Sequence, residues 1–267
     1  MSIYRATING PNQTNTFLFF WPGVFMYIGK AVDTSIHDHH AIQIAISFDE
    51  PIEIRLPDVS FKLKGAIIDS DQRHECRTYN NSFLLINIAP ESQIGIALKK
   101  NYLINQKISK IADGKASEFT AEIEIELKGE SDCNKIFSIT QQFLHTLSST
   151  EVARVFDDRI LEILKQLNRP NNDRVKISEL ASTVFISPNR LIHLFTNQVG
   201  IPIRKYILWR KLLIALQKLA GTKNITRAAL EGGFTDAPHF NRTFKRMFGV
   251  NPTTLLKNSQ IVQAHRE

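Results

Sequence analysis

Residues 225–252 read ITRAALEGGFTDAPHFNRTFKRMFGVNP, and the punctuation of this stretch decides the fold of the C-terminal part of the chain. Ile225 to Phe234 reads as a short support helix followed by a glycine turn. Asp236 stands where a helix N-cap is wanted, and Phe240, Phe244 and Phe248 recur at i, i+4 and i+8, which gives the next helix one apolar face. Asn241, Arg242, Lys245 and Arg246 are left on the other face. Gly249 stops this helix and Asn251-Pro252 opens a last short one. A helix, a tight turn and a capped helix with an outer face of hydrogen-bonding side chains form the helix-turn-helix pattern.

The same pattern stands about 50 residues upstream, as an internal repeat. Ser187 aligns with Asp236, Phe195 with Phe244 and Gly200 with Gly249. Leu180, Ala181 and Val184 supply the core face of a support helix, and Ala181 is small enough to let another helix cross closely. Ser187 is a natural N-cap and Pro188 takes the favoured first helical position. Leu191, Leu194, Phe195 and Val199 then face inward, Asn189, Arg190, His193 and Asn197 face outward, and Gly200 ends the helix. Between the two units a linking helix is expected from Pro202 to Leu219, closed by Gly221. Some 16 residues at ~1.5 Å rise span ~24 Å, which with the flanking helices suits two recognition helices about one DNA turn, ~34 Å, apart. Upstream, Ile160, Leu161, Ile163, Leu164 and Leu167 make an amphipathic helix stopped by Asn168-Arg169-Pro170-Asn171-Asn172, and no strand signal appears after Val155.

Charge agrees with this division. Residues 1–150 hold 14 Lys+Arg against 17 Asp+Glu, whereas residues 151–267 hold 19 against 9, so the chain's net +7 is the balance of −3 in the first part and +10 in the second. A polyanion would meet the chain there.

The block from Gly232 to Pro252 resembles the signature of AraC/XylS-type regulators: Gly-Phe, a short polar cap, F-x-R-x-F-[KR]-x-x-F-G and a closing Pro. Ile186-Ser187-Pro188 with Leu194-Phe195 and Gly200 is similar to that family's first unit, and the resemblance covers roughly residues 155–258. It implies that Asn189, Arg190, Ile192, His193 and Thr196 approach DNA in the first unit, and Ala237, Pro238, Asn241 and Arg242 in the second, with Lys245 near phosphate. Arg242 can donate bidentately to guanine, and Asn189 or Asn241 can pair with adenine. Ile192 and Ala237 offer only apolar contact, and Pro238 cannot read a base by hydrogen bond. The resemblance implies a sequence-specific, effector-responsive transcription regulator whose partners are double-stranded promoter DNA, a small-molecule effector, a second copy of the chain and, for an activator, RNA polymerase.

The first ~100 residues read as β structure. Ile42, Ile44, Ile46 and Phe48 alternate with polar or small residues, as do Ile52, Ile54 and Leu56, and a short strand follows at Phe61-Lys62-Leu63-Lys64. Phe83 to Ile88 is a continuous apolar strand. Short strands at close spacing favour a small barrel or sandwich, consistent with the cupin-like sensor domain that many AraC/XylS-type regulators carry. Farther on, residues 107–112 look helical, residues 119–127 alternate like a strand, and Cys133 to Leu147 has helical spacing. The expected fold class is α+β: a cupin-like β-barrel, then an all-α domain with two helix-turn-helix units joined by a linking helix. The expected domains are 1–105 (sensor), 106–152 (connection and candidate dimerisation segment) and 153–267 (DNA-binding).

His37-Asp38-His39-His40 is the conspicuous chemical cluster. With Gln43 it resembles the H-x-H-x3-E metal motif of cupins, with Gln in place of Glu. His74 falls where the second cupin motif has its histidine, but Asp71-Gln72-Arg73 replaces the usual Pro-Gly. On a strand His37 and His39 share a face. The missing carboxylate weakens a metal site, so His37, His39, Gln43 and His74, with Trp21, are expected to line an effector pocket, and no metal, cofactor or catalytic residue is assigned. The alternative is a cupin-type metalloprotein or enzyme with an accessory DNA-binding domain. No Ser/His/Asp order, phosphate-cradling Gly loop or paired acidic dyad stands out. Two cysteines without close spacing support neither a disulfide framework nor a zinc site. With no signal peptide and no apolar run of the ~18–20 residues that span a bilayer, the expected place is the cytoplasm, with no membrane partner.

Overall fold

Ile42, Ile44 and Ile46 interleave with Gln43, Ala45 and Ser47, and all six are buried, so this strand separates two apolar layers. In the computed structural model it is the third of ten strands among the described residues. The described residues are 16–21, 24–30, 33–79, 81–128, 133–149, 156–169, 175–222, 224–253 and 259–263. They belong to two units, residues 1–152 with 244–267, and residues 153–243.

In the first unit, β1 (Thr16–Trp21), β2 (Val24–Lys30), β3 (Ile42–Ser47), β6 (Gly65–Ile68), β8 (Ser82–Ile88), β9 (Ile108–Lys110) and β10 (Ser259–Gln263) form one sheet in the order β10-β1-β2-β8-β3-β6-β9. Its pairings are antiparallel except β1 with β10, which is parallel. A second sheet runs β5-β4-β7, from β4 (Ile52–Arg55), β5 (Ser60–Leu63) and β7 (Glu75–Arg77). This is the expected β-rich domain, but among the described residues no strand pairing joins the two sheets into a closed barrel.

Phe17, Phe19, Trp21, Met26, Ile42, Ile44, Ile86 and Ile88 share one face of the large sheet and pack under helices α1 (Gln93–Tyr102), α2 (Asp113–Lys128) and α3 (Cys133–Leu147). The other face places Ala45, Ala66 and Ile68 against Ile52, Ile54 and Cys76 of the small sheet.

Four expectations are corrected in these elements. Residues 119–127 are helical within α2, because Ala116, Phe119, Thr120 and Ile123 form its buried stripe while Ile125 is 69% exposed. Residues 107–112 contain strand β9, whose Ile108 to Lys110 pair with β6 at the sheet edge. A strand does occur after Val155, namely β10, which pairs along β1. Gly221 does not end the linking helix, which runs on to Thr222. Helix α4 (Asp158–Leu167) stops where expected, with Asn168 as its C-cap, while Pro170-Asn171-Asn172 and the continuation of the last short helix beyond Thr253 lie outside the described residues.

The second unit holds α4 (Asp158–Leu167), α5 (Ile177–Thr183), α6 (Pro188–Val199), α7 (Ile203–Thr222) and α8 (Ile225–Glu231). Helix α9 (Ala237–Phe248) begins in it and ends among residues counted with the first unit. Asp157 caps α4 by accepting the Arg159 N–H at 3.0 Å, and Asn224 caps α8 by accepting the Arg227 N–H at 3.0 Å.

Candidate nucleic-acid interface and histidine cluster

Helix α6 is framed as its sequence dictates. Ser187 Oγ accepts the Arg190 N–H at 3.3 Å, Pro188 stands in the first turn, and Gly200 ends the helix in the left-handed region at φ 87°. Leu191, Phe195 and Val199 are buried, with Phe195 edge-on to Tyr206 at 5.4 Å. Asn189, Arg190 and His193 are exposed, and Ile192 and Thr196 are half-buried. Thr196 Oγ1 donates to the Ile192 carbonyl at 2.8 Å, so its hydroxyl can offer a ligand only its lone pairs.

Helix α9 repeats the design. Asp236 Oδ1 accepts the His239 N–H at 2.6 Å, and this backbone bond, with help from the Thr235 hydroxyl, holds the carboxyl below its usual range. Phe240 and Phe244 are fully buried. Pro238, Arg242 and Lys245 are exposed, while Ala237 and Asn241 are half-buried. Asn241 differs from the other polar candidates: its Oδ1 is buried without a hydrogen-bond partner. The Gly232-Gly233 pair before α9 divides its labour. Gly233 takes a left-handed φ of 80°, whereas Gly232 lies where a Cβ would come within 2.8 Å of the Ala215 backbone on α7.

In the first unit the structure brings together four of the five pocket candidates. His37 and His74 exchange both backbone hydrogen bonds at 2.9 Å, and ring nitrogens of His37, His39 and His74 lie within 4.8 Å of one another. Gln43 Oε1 sits 2.7 Å from His39 Nε2 and 3.2 Å from His74 Nε2. Trp21 is not with them. It lines up in register with Val24, Ile88 and Ile42, on the helix-covered face, and stacks on Phe19 at 5.6 Å. Strand parity explains the separation, since Gln43 points to the face opposite Ile42.

One further polar residue stands beside this cluster, and the neighbouring His40 makes contacts of its own. Asn87 stands opposite Gln43 in the β3–β8 register, 3% exposed, with its Oδ1 lacking a partner. A lone amide in the apolar run of β8 was the available signal for it. His40 reaches Glu91 at 3.3 Å and Asp71 at 3.7 Å. Burial works against its charge, but these carboxylates outweigh burial and raise its pKa.

The other three histidines are neutral. Burial first, then the neighbouring His39, pushes His37 down to about 3, against a backbone bond to Ser35. Burial is also the main cause lowering His39 and His74. An unfolded histidine takes up a proton near 6.5 and folded His37 only near 3, so the unfolded chain binds more protons between those values. The stability held by His37 is therefore complete above about 6.5 and is lost as pH falls toward 3. At about pH 5 the loss is ~2 kcal/mol from this residue alone. Chelator-treated protein should accordingly melt about 5 °C lower at pH 5 than at pH 7.5, and His37→Gln should flatten that slope. An equal melting temperature at both pH values would show that the ring is not held neutral.

Around the cluster, Ser35 makes a further set of contacts within the same unit. Its carbonyl accepts from His37 Nδ1 at 2.9 Å, while its N–H and Oγ both donate to the Gly249 carbonyl, at 2.9 and 2.8 Å. Gly249 directly follows α9, at φ 70°.

Two capped helices, each behind a support helix and each presenting cationic and amide side chains, define a DNA-binding regulator. Residues 180–258 match the family described as a helix-turn-helix domain. The chain is 24% identical over 229 residues to the probable transcriptional regulator LumQ of Photobacterium leiognathi, covering 81% of this chain and 90% of LumQ. It is 30% identical over 106 residues to the arabinose operon regulatory protein of Escherichia coli (strain K12), covering 36% of this chain and 34% of that one. The fold is shared with ToxT of Vibrio cholerae O395, at TM-score 0.55 and 12% identity over 89% of this chain and 98% of ToxT. It is also shared with an unsaturated-fatty-acid-bound ToxT of Vibrio cholerae strain SCE256, at TM-score 0.52 and 13% identity over 86% and 93%. These similarities agree with the resemblance of the C-terminal residues to AraC/XylS-type regulators. Among the described residues no helix is long and apolar enough to cross a membrane.

Proposed function

We propose that the protein binds promoter DNA in the cytoplasm through the exposed faces of α6 and α9, and that a ligand held by the first unit tunes this binding. The observation that carries the reading is the repeat itself. Ser187 and Asp236 cap the two helices, Phe195 and Phe244 anchor them, and Gly200 and Gly249 follow them at φ 87° and 70°. Asn189, Arg190, His193, Arg242 and Lys245 stand outside the packing. Arg242 is the guanine reader, Asn189 pairs with adenine, and Lys245 meets phosphate. Ile192 and Ala237 supply apolar contact, and Thr196, Pro238 and Asn241 complete the contacting faces. The buried Oδ1 of Asn241 gives it the smaller share of base reading.

Fluorescence anisotropy on DNA from upstream of the protein's own gene, against scrambled DNA and across a salt series, tests the reading. The native sequence is expected to bind tighter at ~150 mM salt, with a steep negative dependence on salt. Arg242→Ala should lower specific affinity about 10–100-fold and leave non-specific affinity much less changed. A ratio of specific to non-specific affinity equal to wild type would remove Arg242 from base reading.

His37, His39, Gln43 and His74 form the effector site under the same proposal. The fatty-acid-bound ToxT supports a ligand-responsive reading of the shared fold. Coupling requires that the ligand bind two conformations with different affinity. Two copies of the chain meeting through α2 and α3, and contact with RNA polymerase during activation, belong to this reading as well.

A further inference from the structure

The tautomers of the three clustered histidines follow from their partners. Nδ1 of His37, His39 and His74 lies 2.9, 3.1 and 2.8 Å from the carbonyl oxygens of Ser35, Ala41 and Gln72. A carbonyl can only accept, so each Nδ1 carries the hydrogen and donates it. In a neutral imidazole the other nitrogen, Nε2, then holds a lone pair. Two of these lone pairs, on His39 and His74, face Gln43 Oε1, itself an acceptor. Acceptor facing acceptor in a buried pocket is resolved in one of two ways. Either the Gln43 amide turns so that its NH2 donates to both rings, or a cation sits among the donors.

The surroundings favour the cation. Three imidazoles whose Nδ1–H groups are each tied to a backbone carbonyl have their orientation and tautomer fixed, as metal-ligating histidines do. One ring nitrogen from each lies within 4.8 Å of the others, and all three residues are buried. Asn87, in register beside Gln43, adds a buried acceptor oxygen without a donor. A water on a metal ion supplies such a donor. We propose that this pocket binds one divalent transition-metal ion of the kind that imidazole prefers, such as Zn(II), through the Nε2 atoms of His37, His39 and His74. Gln43 Oε1 serves as an oxygen donor, and Asn87 accepts from a metal-bound water. The ligand set is neutral, so the bound ion keeps its double charge and leaves a position for water or an anion. Cys76 stays outside the set, because burial pushes its thiol up to about 12 and no thiolate is available.

The inference names the ligand class for the effector site proposed above, and binding is measured apart from any effect on DNA. Full-length protein carrying no polyhistidine tag is stripped with a chelator and titrated with Co(II) and Zn(II). Stoichiometry is read after gel filtration by elemental analysis, and geometry from the visible absorption of bound cobalt. One ion per chain is expected, with visible bands from nitrogen-rich coordination. His74→Gln should weaken binding at least ~100-fold, and Gln43→Glu, which adds the missing carboxylate, should tighten it ~10-fold. Circular dichroism shows whether each variant folds, and a folded Gln43→Glu protein keeps the test decisive if His74→Gln does not fold. No retained metal in wild type or in folded Gln43→Glu overturns the proposal in favour of the turned amide. Metal retained equally by folded His74→Gln overturns it as surface binding. If one ion binds as described while DNA affinity is indifferent to it, the metal site stands and its role as effector site falls.

Discussion

Replacing Gly232 with Ala is expected to cost the second unit about 3 kcal/mol, at the upper end of what overpacking a close helix contact does. The added Cβ would stand 2.5 Å from Ala215 Cβ and 2.8 Å from the Ala215 N and Cα atoms. Main-chain atoms cannot swing aside as a side chain can, so α8 must lift from α7. Gly233→Ala should cost less, about 1–2 kcal/mol, the penalty of a left-handed φ of 80°. Gly114→Ala serves as the control, since nothing lies within 4 Å of its Cβ position on α2. Urea unfolding of the three proteins should rank them in that order, and Gly232→Ala should lose DNA binding together with its helical signal. A midpoint for Gly232→Ala equal to wild type would show that the two helices are not in close contact.

Phe119→Ala carries the second large effect, about 3–5 kcal/mol, as expected for emptying a buried aromatic site. Phe119 is 3% exposed on α2 and stacks on Phe143 of α3 with ring centroids 4.0 Å apart. Both belong to the core that includes Ile42, Ile44 and Ile86 of the sheet. The variant should therefore lower the unfolding midpoint of the first unit. Sedimentation measured alongside shows whether assembly changes too. Altered assembly with an unaltered midpoint would mean that α2 and α3 act only between chains and not as part of this core.

The C-terminal helices were legible because their signals are local. A serine or aspartate cap, a phenylalanine every four residues and a closing glycine each act within one helix, and all survive into the structure at Ser187, Asp236, Gly200 and Gly249. What misled was local periodicity too short to decide. Ile123, Ile125 and Leu127 alternate with glutamates as in a strand, yet the stripe that forms begins earlier, at Ala116 and Phe119. The strands β9 and β10 are three and five residues long, and their backbone groups find partners only on distant β6 and β1. Within the pocket, the spacing of His37, His39 and Gln43 pointed to one chemical group, and His74 joins it through pairing with His37. Trp21 was misplaced because an aromatic residue carries no mark of which side of its strand faces the histidines. Gly232 was seen as a turn residue, but its closeness to Ala215 depends on how α7 and α8 cross.

The parallel pairing of β10 on β1 bears on how this protein can be taken apart. Because the first unit is assembled from residues 1–152 and 244–267, the second lies between two pieces of it along the chain. A single cut near residue 152 therefore gives no self-sufficient half. The downstream fragment carries β10 away from β1, and the upstream fragment keeps β1 with an outer edge of unanswered amide and carbonyl groups. Open edges of this kind recruit strands from other molecules. A clean dissection needs both junctions severed and residues 259–263 supplied again beside β1, as in a circular permutant that brings β10 to the front of the first unit.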